Sequence, residues 1–187
     1  MFPHSSFQTA VANPGPRTVS LDLPGLFKHP LKAHLFTLKF RFDEAEKAYE
    51  TALRYIDHKT NPQLWAETEV DVGVTHAELG IRVEGKAGNE HLAAAITAFR
   101  SALEVRTREQ LPQQWAMTQT NLGDALREQG SRTGGKEGTE LLGQAVTAFR
   151  SALEIYTAEA FPFYHERAQE QLKECERLFT QAKPEAQ

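Results

Sequence analysis

The sequence predicts an all-α protein built from repeated pairs of helices. One observation is an internal repeat: the segment Ala98-Phe-Arg-Ser-Ala-Leu-Glu104 recurs unchanged at 148–154, 50 residues later. A second is that small and apolar residues of each repeat follow the i, i+3, i+4, i+7 spacing of a core-facing helix. A third is the lack of any sustained alternation of β-branched residues, which would indicate strands. Together they predict stacked helical units.

The same offset aligns many other positions of the chain. A weaker third copy of the repeated segment is Ala48-Tyr-Glu-Thr-Ala-Leu-Arg54, with Tyr49 in the place of Phe99. The other recurring residues are Pro62, Pro112 and Pro162, Trp65 and Trp115, Gly73 and Gly123, Gly80 and Gly130, and Lys86 and Lys136. Because so many matches keep one register, we infer three copies of one unit.

The chain divides into an N-terminal segment, a helical repeat domain and a short tail, at residues 1–28, 29–182 and 183–187. The N-terminal segment has four prolines and no helical rhythm, so we expect it to be extended or disordered. Within the repeat domain we expect three helix pairs and a capping helix, at residues 29–58, 62–107, 112–158 and 163–182. The capping helix departs from the repeat as a terminal unit does, with Lys173 where Gly123 would stand.

Local signals predict where the helices begin and end. Pro112 can begin a helix, because proline is tolerated at the first helical position. We expect Gly130 to end that helix and a loop to follow. Thr139 would then cap the second helix, as Asn89 would one unit earlier. The core stripe of this second helix is Ala145, Ala148, Phe149, Ala152, Leu153 and Tyr156.

The residues of these units resemble tetratricopeptide repeats in their extended, roughly 50-residue bacterial form. Leu122-Gly123 followed by Leu126 fits the first helix of that family's pattern, and Ala145, Phe149 and Ala152 fit the second. The resemblance covers residues 29–182 and departs from the usual period of about 34 residues. It implies a right-handed α-solenoid of about three helix pairs with a C-terminal capping helix. It also implies a concave groove, lined by first helices, that binds a peptide or helix of a partner.

Mapped onto this chain, the groove becomes one stripe of residues, three and four positions apart, on each first helix and on the capping helix. The expected partner-binding residues are His34, Thr37, Glu67, Val70, Val74, Ala77, Met117, Thr120, Asp124, Arg127, Arg167, Glu170, Glu174 and Arg177. Their carboxylates favour a partner of basic or mixed charge. A clamp for acidic C-terminal peptides is disfavoured, because the equivalents of Asn121 are Leu31, Asp71 and Gln171. We therefore expect a non-catalytic adaptor for protein-protein interaction.

Composition disfavours several other classes of protein. With 21 Lys+Arg and 25 Asp+Glu the net charge is −4, which lacks the basic excess that nucleic-acid binding needs. No apolar run approaches the ~20 residues that span a bilayer, so we expect a cytoplasmic protein without membrane contact. Cys175 is the only cysteine, and no two histidines have H-x-x-x-H spacing. We therefore expect neither a metal site nor a cofactor.

Two alternatives stay open. One is a self-associating scaffold. Residues 1–28 carry apolar side chains that a free tail would expose, so this segment could bind in a groove. Alternatively, the end helices of two chains could contact each other. Less favoured is an anion- or nucleotide-binding enzyme. Residues 80–86 and 130–136 both match G-x-x-x-x-G-K, but Ala87 and Glu137 stand where a phosphate-binding loop has Ser or Thr.

Overall fold

The structure of this chain, a computed structural model, describes residues 42–183. These residues form α-helices and no strand, which confirms the prediction of an all-α protein for this part of the chain. The helices are α1 (Phe42–Leu53), α2 (Pro62–Arg82), α3 (Gly85–Val105), α4 (Pro112–Thr133), α5 (Gly135–Leu153) and α6 (Pro162–Ala182). The expectations for 1–28 and for the first helix of the first pair lie outside the described residues.

Three helices begin with the same turn at intervals of 50 residues. Pro62, Pro112 and Pro162 lie in the first turn of α2, α4 and α6, and the residue before each proline has φ from −138° to −134° and ψ from 56° to 59°. This backbone lies outside the α-helical region, which the residue before a proline disfavours. The repeat detected in the sequence is therefore also a repeat of local geometry.

The prediction of long loops between the paired helices is wrong. Helix α2 continues past Gly80 to Arg82, α4 continues past Gly130 to Thr133, and only residues 83–84 and 134 separate each pair. Asn89 and Thr139 consequently lie inside α3 and α5 and do not cap them. The hydroxyl of Thr139 is bonded to the Gly135 carbonyl, 2.8 Å away, as within a helix. The 50-residue period thus comes from long helices, not from long loops.

Glycines allow the two helices of each pair to come close together. A Cβ on Gly73 would lie 2.5 Å from the ring of Phe99, and a Cβ on Gly123 would lie 2.8 Å from the ring of Phe149. Both rings are completely buried. Near the turn, a Cβ on Gly138 would lie 2.5 Å from the carbonyl oxygen of Gly130. These contacts leave no room for any larger residue without movement of the neighbouring helix.

Each helix packs against the next one along the chain, and α4 also contacts α2 and α6. One apolar cluster runs through α2 to α6, from Ala66 to Cys175. Ala45 and Tyr49 of α1 form a smaller cluster. None of the six described helices is both long and apolar enough to cross a membrane.

Arginines near the ends of α2 and α4 reach back to the preceding unit. The Arg132 guanidinium donates to the carbonyl oxygens of Gly80 at 2.6 Å, Ile81 at 3.2 Å and Val83 at 3.2 Å. Two of them, those of Gly80 and Ile81, lie in the last turn of α2, where carbonyl groups have no donor within the helix. At the equivalent position, Arg82 lies over the ring of Phe42, 5.0 Å from its centroid.

We predict that Gly123→Ala destabilises the protein. The added methyl group overlaps the buried ring of Phe149, and such overpacking costs about 1–3 kcal/mol. The better helix propensity of alanine offsets ~1 kcal/mol of this cost, so the net loss is up to about 2 kcal/mol. Denaturant unfolding measures it.

Gly143→Ala is the matched control. It has the same gain in helix propensity, but its Cβ would lie 3.2 Å from the partly exposed Phe179 ring. A Gly123→Ala variant at least as stable as Gly143→Ala would contradict the close contact.

Candidate functional site

The structure corrects part of the expected groove. Five of its residues are buried and present no surface to a partner: Val70, Val74, Ala77, Thr120 and Asp124. The physical reason is the contact of α4 with α2 and α6, which covers a stripe that a free helix would expose. Glu67, Glu170, Glu174 and Arg177 are exposed, and Met117, Arg127 and Arg167 are partly exposed. His34 and Thr37 lie outside the described residues.

A buried carboxyl group joins α4 to α6. The side-chain amide of Gln171 donates to both carboxyl oxygens of Asp124, at 2.9 and 2.7 Å. Arg127 Nη2 lies 3.5 Å from the same carboxyl group. Burial raises the pKa of Asp124 to about 7, although Arg127, Arg167 and the bond from Gln171 act in the opposite direction. Asp124 is therefore a positioning group for Arg127 rather than a contact for a partner.

The surface beside Asp124 carries charges of both signs. Arg177 donates two hydrogen bonds to Glu174, at 2.6 and 2.8 Å, and these bonds lower the pKa of Glu174. Arg127 Nε and Gln171 Oε1 are buried and have no hydrogen-bond partner among the described residues. A buried polar atom without a partner is unfavourable, so Arg127 Nε and Gln171 Oε1 have unused capacity for hydrogen bonding. We call the exposed and partly exposed groove residues of α4 and α6 the α4–α6 surface: Met117, Arg127, Arg167, Glu170, Glu174 and Arg177.

A second buried polar group is formed by residues of α1, α2 and α4 together with Arg106, and the sequence reasoning missed it. Arg106, just after α3, is 5% exposed and donates to the hydroxyl of Thr118 at 3.3 Å. Burial raises the pKa of Asp71 to about 7, with a contribution from Glu67, while Tyr49 and Arg106 oppose the rise. The repeat offers a signal for this group, because Arg106 is a charged residue at a position where the other two copies have Ile56 and Tyr156.

His76 and His91, which do not have the spacing of a metal-binding motif in the sequence, are in contact between α2 and α3. His76 Nδ1 lies 3.1 Å from His91 Nδ1, and His76 Nε2 lies 3.6 Å from a carboxylate oxygen of Glu46 on α1. One ligand atom from each of the three residues lies within 4.8 Å of the others, so together they can hold a metal ion. A search for histidines on one helix cannot find a pair that a turn brings together.

The G-x-x-x-x-G-K segments form no phosphate cradle. Both run through helix ends, and no strand precedes either of them in residues 42–183. Lys86 and Lys136 instead form exposed ion pairs with Glu90 and Glu140 one helical turn away. The strand–loop–helix geometry that phosphate binding needs is therefore missing here.

Cys175 is a buried thiol of the core. Its sulfur lies 3.5 Å from the Leu142 carbonyl oxygen, and burial raises its pKa to about 11. A thiol with such a pKa stays protonated at neutral pH and is a poor nucleophile.

We predict that Asp124→Asn reduces the dependence of stability on pH. With its pKa raised to about 7, native Asp124 keeps a proton that the unfolded chain releases above its ordinary pKa of 3.8. Stability therefore falls as pH rises from about 4 to 7, by up to ~1.4 kcal/mol per pH unit for one group. Asparagine cannot ionise and can pair with Gln171, so the variant should lose that contribution. Urea unfolding at several pH values measures it.

Glu170→Gln removes an exposed carboxylate from the same region and should leave the pH dependence unchanged. Asp71 and Glu69, whose pKa values burial also raises to about 7, and Glu78, whose pKa burial raises too, contribute to the remaining slope. An unchanged slope in Asp124→Asn would mean that the two arginines keep Asp124 ionised.

Comparison of the chain with protein-family models, with curated proteins and with solved structures finds no match.

Proposed function

We propose that this chain is a non-catalytic, cytoplasmic adaptor that binds a peptide or helix of a partner protein across the surface of α4 and α6. The observation that carries the proposal is the setting of Arg127. Its side chain is 24% exposed, and its guanidinium lies beside the buried carboxyl group of Asp124, 3.5 Å away. An oriented cation at a surface can donate to a carbonyl or carboxylate of a ligand with little loss of side-chain entropy.

We propose a partner of mixed charge. Arg127 and Arg167 would bind acidic or carbonyl groups, and the exposed Glu170 would attract basic ones, as would Glu67 on the adjoining α2. Glu174 contributes less than its charge indicates, because Arg177 already binds it. The partly exposed Met117 would add an apolar contact. Charge complementarity of this kind favours specificity and fast association.

We further propose that the helix pairs continue as a right-handed α-solenoid with α6 as its cap. The identical turns before α2, α4 and α6 and the contacts of α4 with both of these helices support this arrangement. In a solenoid the binding surface is rigid before the partner arrives, which lowers the entropy lost on binding.

Self-association is a second candidate, and the start of α6 favours it. Phe163 is 68% exposed and Tyr164 is 40% exposed, and Tyr164 stacks on Tyr156 with the ring centroids 5.0 Å apart. Only Ala168 and Cys175 of α6 are buried. An end helix with exposed aromatic rings offers a contact to a second copy of the chain.

We predict that Arg127→Gln weakens partner binding tenfold or more, since a hydrogen bond to a charged group contributes about 1.5–3 kcal/mol. The partner would be captured from an extract of the source organism with the wild-type chain. Its affinity for each purified variant would then be measured by calorimetry.

Arg108→Gln is the matched control. Arg108 is also an exposed arginine paired with a carboxylate, Glu154, at 2.6 Å. It lies before α4, away from Arg127. Equal partner affinity of the two variants, with equal melting temperatures, would remove Arg127 from the binding surface.

For self-association, we predict that the wild-type chain is a dimer in light scattering and that the double variant Phe163→Ser with Tyr164→Ser is a monomer. A wild-type chain that stays monomeric at high concentration would contradict this second candidate.

A further inference from the structure

Glu46, His76 and His91 lie where α1, α2 and α3 meet, one residue on each helix. We call these three residues the α1–α3 cluster. Their geometry places two ring nitrogens 3.1 Å apart and a carboxylate oxygen 3.6 Å from the second nitrogen of His76. All three side chains are partly buried. They belong neither to the α4–α6 surface nor to the apolar clusters.

The internal repeat provides a comparison within the same chain. Moved by 50 residues, the positions of Glu46, His76 and His91 become those of Ile96, Leu126 and Leu141. Ile96 and Leu126 are buried in the large apolar cluster, and Leu141 packs against it. The next unit thus fills this junction with three aliphatic side chains. The α1–α3 cluster replaces all three of them with residues that bind metals.

Such a replacement is unfavourable unless the polar groups have partners. Polar side chains at a helix junction lose hydration and contribute less packing than leucine or isoleucine. Two imidazoles in contact can form at most one hydrogen bond with each other, and only one of the two facing nitrogens can carry the proton. Burial also lowers the pKa of His76, which keeps its ring neutral, the form that binds metals.

We propose that Glu46, His76 and His91 bind one divalent transition-metal ion, with Zn²⁺ as the representative, and that the ion joins α1 to the α2–α3 helix pair. Two imidazole nitrogens and one carboxylate oxygen are a ligand set used by zinc and by other divalent transition metals. At the usual Zn–N distance of about 2.0–2.1 Å, nitrogens 3.1 Å apart subtend an angle of about 100° at the metal. Glu46, 28% exposed, supplies the carboxylate oxygen, and one ligand atom from each of the three residues lies within 4.8 Å of the others.

The site would act on the junction of α1 with the α2–α3 helix pair. Among the described residues, the apolar cluster of α1 has only Ala45 and Tyr49 as buried members. The α2–α3 pair is already fixed by the contact of Gly73 with Phe99. A metal ion held by one ligand from each helix would therefore mainly strengthen the docking of α1.

The test uses the full chain, stripped of metal with EDTA and titrated with Zn²⁺ alone. We expect one ion per chain by equilibrium dialysis and a rise in the melting temperature with Zn²⁺. His76→Leu with His91→Leu installs the residues of the equivalent junction, so this variant should fold. We expect it to bind Zn²⁺ more weakly by over ~100-fold, beyond the loss caused by an outer-shell partner. Its melting temperature should not respond to Zn²⁺.

Two further variants make the result specific. Glu46→Gln removes the charged ligand and should weaken binding while leaving the fold intact, whereas His58→Gln changes an exposed histidine outside the cluster and should bind like wild type. Co²⁺ in place of Zn²⁺ should give a visible absorption spectrum that the double leucine variant lacks. Absence of sub-millimolar binding by the wild type, or equal binding by the double variant, would overturn the proposal.

Discussion

The contact between a glycine and a buried phenylalanine ring is the constraint on which the rest of this structure depends. Gly73 lies against Phe99 and Gly123 lies against Phe149, so in each helix pair the ring fills the space that a Cβ on the facing helix would occupy. With the helices this close, their crossing is determined along their whole length, and a turn of one or two residues suffices to join them. The long helices in turn carry the residues of the α4–α6 surface and of the α1–α3 cluster to fixed positions.

Close packing also explains why charged groups are buried here. Helices of 19–22 residues in contact with neighbours on several sides have few free faces, so Asp124 and Arg106 end inside the structure. Each is compensated locally, Asp124 by Gln171 and Arg106 by Thr118.

The sequence predicts the helical architecture well and the surface poorly, for one physical reason. Period and spacing are local properties, so the starts at Pro62, Pro112 and Pro162 and the core positions of Phe99 and Phe149 follow from them. Burial depends on contacts between units. Asp124 therefore looked like a groove residue, although α6 covers it. Gly130 resembled a helix end, because its role in letting α5 approach cannot be distinguished from capping without the partner helix.

Arg132 has a consequence for how the protein unfolds. Its guanidinium donates to three carbonyl oxygens at the C-terminal end of α2 and in the turn that follows, so separation of α4 from the α2–α3 pair leaves these carbonyls without donors. Neighbouring units are coupled in this way by an interfacial free energy, and a stack with strong coupling opens from its termini and not from its middle. Among the described helices, the slowest amide exchange should then be found in α3 and α4, which lie in the middle of the stack.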